Sequence, residues 1–182
     1  MRQLWKYFRL LTIGIIGILS LGCEKAKLHR QLTGFIDTEI TLPSMVKYAP
    51  RELPKFEAPM LDSTRHTLIV YFDSTQCSSC LLGRLYEWGE VAEFSRDNCN
   101  FVMVFSPKQA RLSELKASLQ TAFIETDVWV DENGDFARLN QTIPSDVKFH
   151  TFLLNPQRRV ILVGDPVHNH QIWDLYKTTI RN

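Results

Sequence analysis

One junction constrains the fold of this chain more than any other feature: an apolar run that ends just before two closely spaced cysteines. The run is Leu68–Phe72, and Cys77-Ser78-Ser79-Cys80 follows after the turn Asp73–Gln76. Consecutive apolar residues are typical of a strand that is covered on both faces. Residues after Cys77 have helical periodicity, so the pattern predicts a strand, a cysteine pair and a helix in that order.

This order gives the first thiol a definite chemistry. At a helix N-terminus, unpaired N–H groups and the positive end of the helix dipole favour a thiolate over a thiol. A thiolate attacks disulfides, and a second thiol one helical turn later can resolve the mixed disulfide. We therefore predict Cys77 as the nucleophile and Cys80 as the resolving thiol. An inert structural pair and a metal site are the alternatives.

The N-terminus predicts export. A basic start (Arg2, Lys6, Arg9) precedes the apolar stretch Leu10–Leu21, which is shorter than the about 20 residues of a membrane-spanning helix. Gly22-Cys23 follows and resembles a bacterial lipobox, which implies a lipoprotein signal peptide over residues 1–22 and a lipid on Cys23. An ordinary signal-anchor helix is the alternative. Both predict an extracytoplasmic chain in the cell envelope (periplasmic if Gram-negative), where disulfides persist.

Length and composition limit what the rest of the chain can form and bind. About 160 residues suit one domain with its own core. Lys plus Arg number 21 and Asp plus Glu number 20, so we expect no nucleic-acid partner. We predict that residues 23–60 form a tether and an extended connector, because four prolines (Pro43, Pro50, Pro54, Pro59) interrupt this stretch. We predict that residues 61–182 form the folded domain.

Strands and helices alternate from Thr67 onward. After Leu68–Phe72 and the first helix, the pattern predicts further elements in this order: a strand at Phe101–Phe105, a helix marked by Leu112, Leu115 and Leu119, a strand at Val128–Val130, a short helix at Asp135–Asn140, a hairpin of Thr151–Leu154 with Val160–Val163, and a helix at His168–Thr179. This order predicts an α/β fold, a mixed central sheet with helices on both faces.

With C-x-x-C after the first core strand, this order resembles the thioredoxin-like fold. Val128–Ala137 resembles the insert of the redoxin branch, which includes peroxiredoxins and TlpA-like thiol-disulfide oxidoreductases, and His150–Asn155 resembles a strand of that branch. The resemblance implies a membrane-anchored thiol-disulfide oxidoreductase without a cofactor. Its partners would be exported cysteine-containing proteins and a membrane-side electron donor or acceptor.

The sequence departs from that family beside the cysteines. Where members usually have a cis-proline, this chain has Phe149, for which we expect a trans bond. We predict a pocket formed by Asp73, Phe149 and His150. Asp73 is also a good turn former, and His150 is either a neighbour that perturbs the thiolate or a structural residue at a strand end.

Three other functions stay open at this stage. A non-catalytic binding module would keep the fold and use the cysteines only structurally. A chaperone-like protein would bind Cu(I) through Cys77, Cys80 and His150, although copper chaperones usually space their cysteines more widely. A peroxidase is less favoured, because Val70 stands where peroxiredoxins have proline. Cys99 is expected to be a small residue at a helix–strand junction.

Overall fold

The structure, a computed structural model, describes residues 24–50, 52–76, 82–83, 85–121 and 126–181. The predicted signal peptide, Cys23 and the Cys77–Cys80 motif lie outside the described residues. The chain divides into two compact units, Met1–Gly34 and Phe35–Asn182. In the first unit, residues 24–34 are helical and largely exposed. No helix within the described ranges is long and apolar enough to cross a membrane.

The described residues of the second unit form a seven-stranded mixed sheet in the order β2-β1-β5-β4-β3-β6-β7. The strands are β1 (Met45–Tyr48), β2 (Lys55–Glu57), β3 (Thr67–Phe72), β4 (Asn100–Phe105), β5 (Val128–Val130), β6 (Thr151–Leu154) and β7 (Val160–Val163). β4 runs parallel to both β3 and β5. The other neighbouring pairs are antiparallel.

Four α-helices accompany this sheet in the part of the second unit that the structure describes. They are α1 (Gly89–Asn98), α2 (Leu112–Thr121), α3 (Asp135–Leu139) and α4 (His170–Arg181). Short 3-10 helices at Leu85–Trp88 and Val147–Phe149 precede α1 and β6. The helices predicted after β4, β5 and β7 are therefore confirmed. The helix predicted after Cys77 is described as the 3-10 helix Leu85–Trp88 followed by α1, which ends at Asn98.

The sheet separates two hydrophobic cores. Leu68, Val70 and Phe72 of β3 pack in one core with side chains of α1, α2 and α4. Ile69 and Tyr71, the residues between them, pack in the other core with the α3 side chain of Phe136 and with Phe35. This period of two places successive strand residues on opposite faces. The prediction of a mixed sheet with helices on both faces is confirmed.

The predicted connector is corrected by the structure. β1 and β2 form an antiparallel pair, and β1 adds to the sheet alongside β5, where Val46 pairs with Val130. The Nζ atom of Lys47 lies 3.0 Å from Oδ2 of Asp127, which fastens β1 to the start of β5. The prolines stand outside both strands, so they do not interrupt the pairing. The sheet therefore begins well before residue 61.

Candidate functional site

A pocket of about 180 Å³ lies at the edge of the sheet where β3 ends and β6 begins. The backbone N–H of Tyr71 donates to the carbonyl of His150 at 2.8 Å, which holds these two strand ends side by side. Gln76, the residue that precedes Cys77 in the sequence, also lines the pocket. The chain thus reaches its cysteine pair from this pocket. The roles of Cys77 and Cys80 stay predictions, since both lie outside the described residues.

The turn that leads to the cysteines is built by Asp73. Its Oδ1 atom accepts hydrogen bonds from the backbone N–H of Thr75 at 2.9 Å and from the Thr75 hydroxyl at 2.6 Å. Asp and Asn side chains form such turns readily, because they satisfy backbone groups two residues on. Asp73 is therefore a turn former and, contrary to prediction, does not line the pocket, although its charge acts on Tyr71 and His150.

His150 lies in the wall of the pocket and is 3% exposed. Its Nε2 atom is 3.0 Å from the carbonyl oxygen of Pro144. A carbonyl only accepts, so Nε2 carries the proton and Nδ1 carries the lone pair. The Nδ1 atom is buried and has no hydrogen-bond partner among the described residues. Burial lowers the pKa of this imidazole, against smaller opposing effects of the Pro144 hydrogen bond and nearby carboxylates.

Tyr71 is a pocket residue that sequence reasoning took only as part of an apolar strand. Its ring lies 5.0 Å from the ring of His150 and 4.9 Å from that of Phe136, centroid to centroid. Burial raises the pKa of its phenol, and a hydrogen bond with Ser106 lowers it by less. The hydroxyl therefore stays protonated at neutral pH. The sequence alone does not distinguish a tyrosine that lines a pocket from one that is only part of the core, because both occur in apolar strands.

A buried carboxylate holds together the strand ends behind Tyr71. Asp131, at the end of β5, accepts hydrogen bonds from the Ser106 hydroxyl at 2.8 Å and from the backbone N–H groups of Asp135 and Phe136, each at 2.9 Å. These contacts join the ends of β4 and β5 to α3. The strand, Asp, turn and short helix predicted from the redoxin-like insert are present, and Gly134 of the turn has a φ of 71°.

Ionisable side chains also line the same pocket. Nδ1 of His168 lies 2.7 Å from Oδ2 of Asp165, and Nε2 of His168 lies 3.7 Å from Oε2 of Glu87. These contacts connect the segment after β7 with the 3-10 helix before α1. The sequence drew no attention to Glu87 or Asp165, because their proximity depends on the tertiary fold.

Phe149 lies elsewhere. It ends the 3-10 helix before His150, is 2% exposed, and packs its ring edge-on 6.5 Å from the ring of Phe35. The structure therefore places Phe149 in the second core instead of the predicted pocket, because aromatic neighbours bury it there. No cis peptide bond occurs in the described residues, as expected for the bond before Phe149.

Within the described ranges, no three His, Cys, Asp or Glu side chains are grouped to hold a metal ion. Of the Cu(I) set considered above, the structure describes only His150. A larger cavity of about 360 Å³ runs along α1, lined by Tyr86, Ala92 and Arg96 among others. No predicted site residue that the structure describes contributes to it. Cys99 is 4% exposed at the junction of α1 and β4, as expected.

No family model and no curated protein matches the sequence. Solved structures do match. The thioredoxin domain of a thiol-disulfide oxidoreductase from Bacteroides vulgatus has a TM-score of 0.55 at 10% identity, over 80% of this chain and 97% of that one. The C-terminal domain of a protein classed as a thiol-disulfide oxidoreductase, from Bacteroides thetaiotaomicron, has a TM-score of 0.53 at 11% identity, over 80% and 96%.

A third structure is that of a protein classed as a protein disulfide isomerase, also from Bacteroides thetaiotaomicron. It has a TM-score of 0.51 at 13% identity, over 80% of this chain and 87% of that one. At these identities the likeness concerns the fold. The chain has the thioredoxin-like fold, and that prediction is confirmed.

Proposed function

We propose that this protein is a thiol-disulfide oxidoreductase that exchanges electrons with cysteines of exported proteins through Cys77 and Cys80. Cys77 attacks a substrate disulfide, and Cys80 releases the mixed disulfide; the reverse reaction oxidises a substrate dithiol. A membrane-side donor or acceptor restores the pair, and no cofactor takes part. A lipid on Cys23 holds the domain at the extracytoplasmic side of a membrane.

One observation supports this proposal most directly: the pocket between the ends of β3 and β6. Gln76, immediately before the cysteine pair, lines it together with the buried imidazole of His150. The chain also shares the thioredoxin-like fold with the similar solved structures from two Bacteroides species. The names of those structures also favour disulfide chemistry.

Trapping of mixed disulfides tests the exchange. In cells that make the chain with Cys80→Ser, the Cys77 thiol has no resolving partner, so adducts with exported proteins should accumulate. Cys77→Ser with Cys80 intact is the matched control and should trap few. A binding module would keep its partners after both substitutions and trap nothing, which would end the proposal.

The reduction potential of the pair gives the direction of electron flow. A value near the about −270 mV of thioredoxin would assign a reductant, and one near about −120 mV an oxidant. A pair that never cycles between dithiol and disulfide would contradict the exchange reaction.

The anchor is tested separately. Cys23→Ser should abolish incorporation of labelled fatty acid and release the chain from the membrane fraction after signal cleavage. Unchanged labelling in this variant would contradict a lipid on Cys23 and leave the exchange reaction unaffected.

A further inference from the structure

The outer edge of the sheet at β2 is open. β2 pairs with β1 on one side, and no strand within the described ranges pairs with it on the other. All three residues of β2 are exposed. An open edge presents backbone N–H and C=O groups that can pair with a further strand, and natural proteins usually cover or protect it. This edge therefore requires an explanation.

Large apolar side chains are concentrated at this edge. Three of the four most exposed large hydrophobic residues that the structure describes lie in or beside β2: Leu53 is 83% exposed, Phe56 68% and Met60 97%. Phe56 lies opposite Val46 of β1, which packs against the first core, so the Phe56 ring continues that face of the sheet. A group of exposed apolar residues of this kind marks an interaction surface.

The charges of β2 are complementary to a second copy of the same strand. Identical antiparallel strands related by a two-fold axis pair about one central residue, because residues opposite each other lie on the same face of the sheet. Centred on Phe56, this pairing sets Lys55 of each copy opposite Glu57 of the other. Centred on Lys55 or on Glu57, it sets like charges opposite each other, which is unfavourable. The order Lys-Phe-Glu therefore selects one register.

We propose that this protein forms a two-fold dimer in which the β2 strands of two copies pair antiparallel about Phe56, so that their sheets become one. The occupant of the open edge is thus a second copy of this chain. Cross-strand pairs of aromatic rings and of opposite charges both stabilise neighbouring strands. Antiparallel pairing also brings Leu53, before β2, towards Met60, after β2, of the other copy.

The ion pairs that β2 makes within one copy permit this exchange of partners. Nζ of Lys55 lies 2.9 Å from Oε2 of Glu52. Oε1 of Glu57 lies 3.7 Å from Nζ of Lys47. The side chains of Lys55 and Glu57 are about half exposed, and ion pairs at such sites contribute little to stability. Both side chains can therefore turn towards a second copy at little cost to the monomer.

The position of β2 leaves the pocket open in such a dimer. β1, β5 and β4 lie between β2 and β3, whose end forms the pocket with β6. Pairing at the β2 edge therefore does not cover the pocket of either copy.

The paired segment is short. Pro54 stands directly before β2, and Pro59 stands two residues after it. Proline has no N–H to donate, so the ladder ends close to the three residues of β2. We therefore expect a weak dimer that needs a high local concentration, such as that of chains held on one membrane by the lipid proposed on Cys23.

Cysteine cross-linking in broken cells tests the pairing. The parent is the whole chain with Cys77 and Cys80 replaced by Ser and Cys99 by Ala, while Cys23 stays to carry the lipid. One new cysteine is added, copper phenanthroline serves as the oxidant, and dimers are counted on non-reducing gels above the level that the parent gives.

Phe56→Cys should cross-link with itself, because directly opposed residues of antiparallel strands lie within the Cα separation that a disulfide spans. It should give at least about fivefold more dimer than Met60→Cys, the matched control, which is more exposed but does not face itself. Lys55→Cys, which faces itself only in a different register, should also give little dimer.

Charge reversal tests the register independently. Lys55→Glu in the Phe56→Cys chain sets Glu opposite Glu twice across the axis, and should lower the dimer yield about tenfold. Adding Glu57→Lys restores both opposite-charge pairs in reversed order and should restore the yield. An effect confined to the monomer would not be restored, because within one copy Lys55 pairs with Glu52 and Glu57 with Lys47.

The outcomes that overturn the proposal are specific. Phe56→Cys that yields no more dimer than Met60→Cys overturns the pairing, and so does a higher yield from Lys55→Cys. A doubly charge-reversed chain that stays as low as Lys55→Glu overturns the register. If Phe56→Cys gives no dimer and Phe56→Ser abolishes binding to phosphatidylglycerol vesicles, the edge meets a membrane and the dimer is overturned. None of these results depends on disulfide exchange, since the parent lacks Cys77 and Cys80.

Discussion

At the scale of residues, Asp131 shows how one side chain organises several elements. It is 3% exposed, and its two oxygens accept hydrogen bonds from Ser106, Asp135 and Phe136. A buried acceptor with all its donors stabilises the fold, whereas a donor left unpaired after a substitution costs free energy. Asp135 and Phe136 follow Asp131 closely, but Ser106 lies 25 residues before it, so that part of the network was not predictable from spacing.

We expect Asp131→Ala to lower the free energy of unfolding by about 2–4 kcal/mol, because three donors lose their acceptor. Asp131→Asn keeps one acceptor oxygen and should cost less. Urea denaturation of each purified variant measures both. Asp135→Asn, whose side chain pairs with Arg138 at the surface, is the control and should cost below about 1 kcal/mol. Equal losses for Asp131→Ala and Asp135→Asn would contradict this account.

Cys99 should be inert while the protein is folded. Burial raises the pKa of its thiol, so little thiolate forms at neutral pH, and the sulfur is inaccessible. In a chain with Cys23, Cys77 and Cys80 replaced by Ser, iodoacetamide should label Cys99 at least about tenfold faster in denaturing urea than in buffer. Rapid labelling of the folded protein would place Cys99 outside the core.

At the scale of elements, α4 is fixed to the sheet through a glycine. Tyr176 donates its hydroxyl to the carbonyl of Gly164 at 3.1 Å. Gly164 has a φ of 145°, and a Cβ there would lie 3.1 Å from Cδ1 of Ile172. Few L-residues adopt that backbone conformation. Glycine thus permits the chain to turn from β7 towards α4.

Two Gly→Ala substitutions should therefore have opposite signs. Gly164→Ala should destabilise the protein by about 1–3 kcal/mol through strain and contact with Ile172. Gly89→Ala, at the start of α1, meets no described atom within 4 Å and should stabilise it by up to about 1 kcal/mol. Thermal unfolding of both variants measures the difference. A lower midpoint for Gly89→Ala than for Gly164→Ala would refute the argument.

The elements that the sequence predicted are those with strong local patterns. The apolar runs of β3 and β4 were correctly predicted as strands. The spacing of Leu112, Leu115 and Leu119 correctly predicted a helix. β1 and β2 were missed because they are short and prolines flank them; their stability comes from pairing with β5, far along the chain. His150 was predicted as a pocket residue from the resemblance to the thioredoxin-like fold, whereas Tyr71 was not, because its contacts are tertiary.

At the scale of the whole molecule, buried tyrosines lower the free energy of unfolding at alkaline pH. Burial raises the pKa of Tyr48 and Tyr71, and raises that of Tyr176 far above its usual value. In the unfolded chain these phenols ionise near pH 10. Above that pH the folded state holds more protons than the unfolded state, so stability falls as pH rises.

We expect the urea concentration at the midpoint of unfolding to drop steeply between about pH 9.5 and 11 and to change less near neutral pH. Tyr176→Phe removes the most shifted phenol, so its stability should fall less steeply over that range, from a lower starting value. Absorbance of ionised tyrosine should appear together with unfolding for the buried phenols. Parallel stability curves for the two proteins would contradict the contribution of Tyr176.

The central position of β3 has a consequence for the order in which the molecule is made. Thr67 in β3 pairs on one side with Asn100 and on the other with Leu154. β1 likewise pairs with β5, a strand that follows it at a distance in the chain. During synthesis, β3 and β4 emerge from the ribosome well before β6. A nascent chain that stops before residue 151 therefore leaves one edge of β3 unpaired, and the sheet closes only after β6 and β7 have emerged.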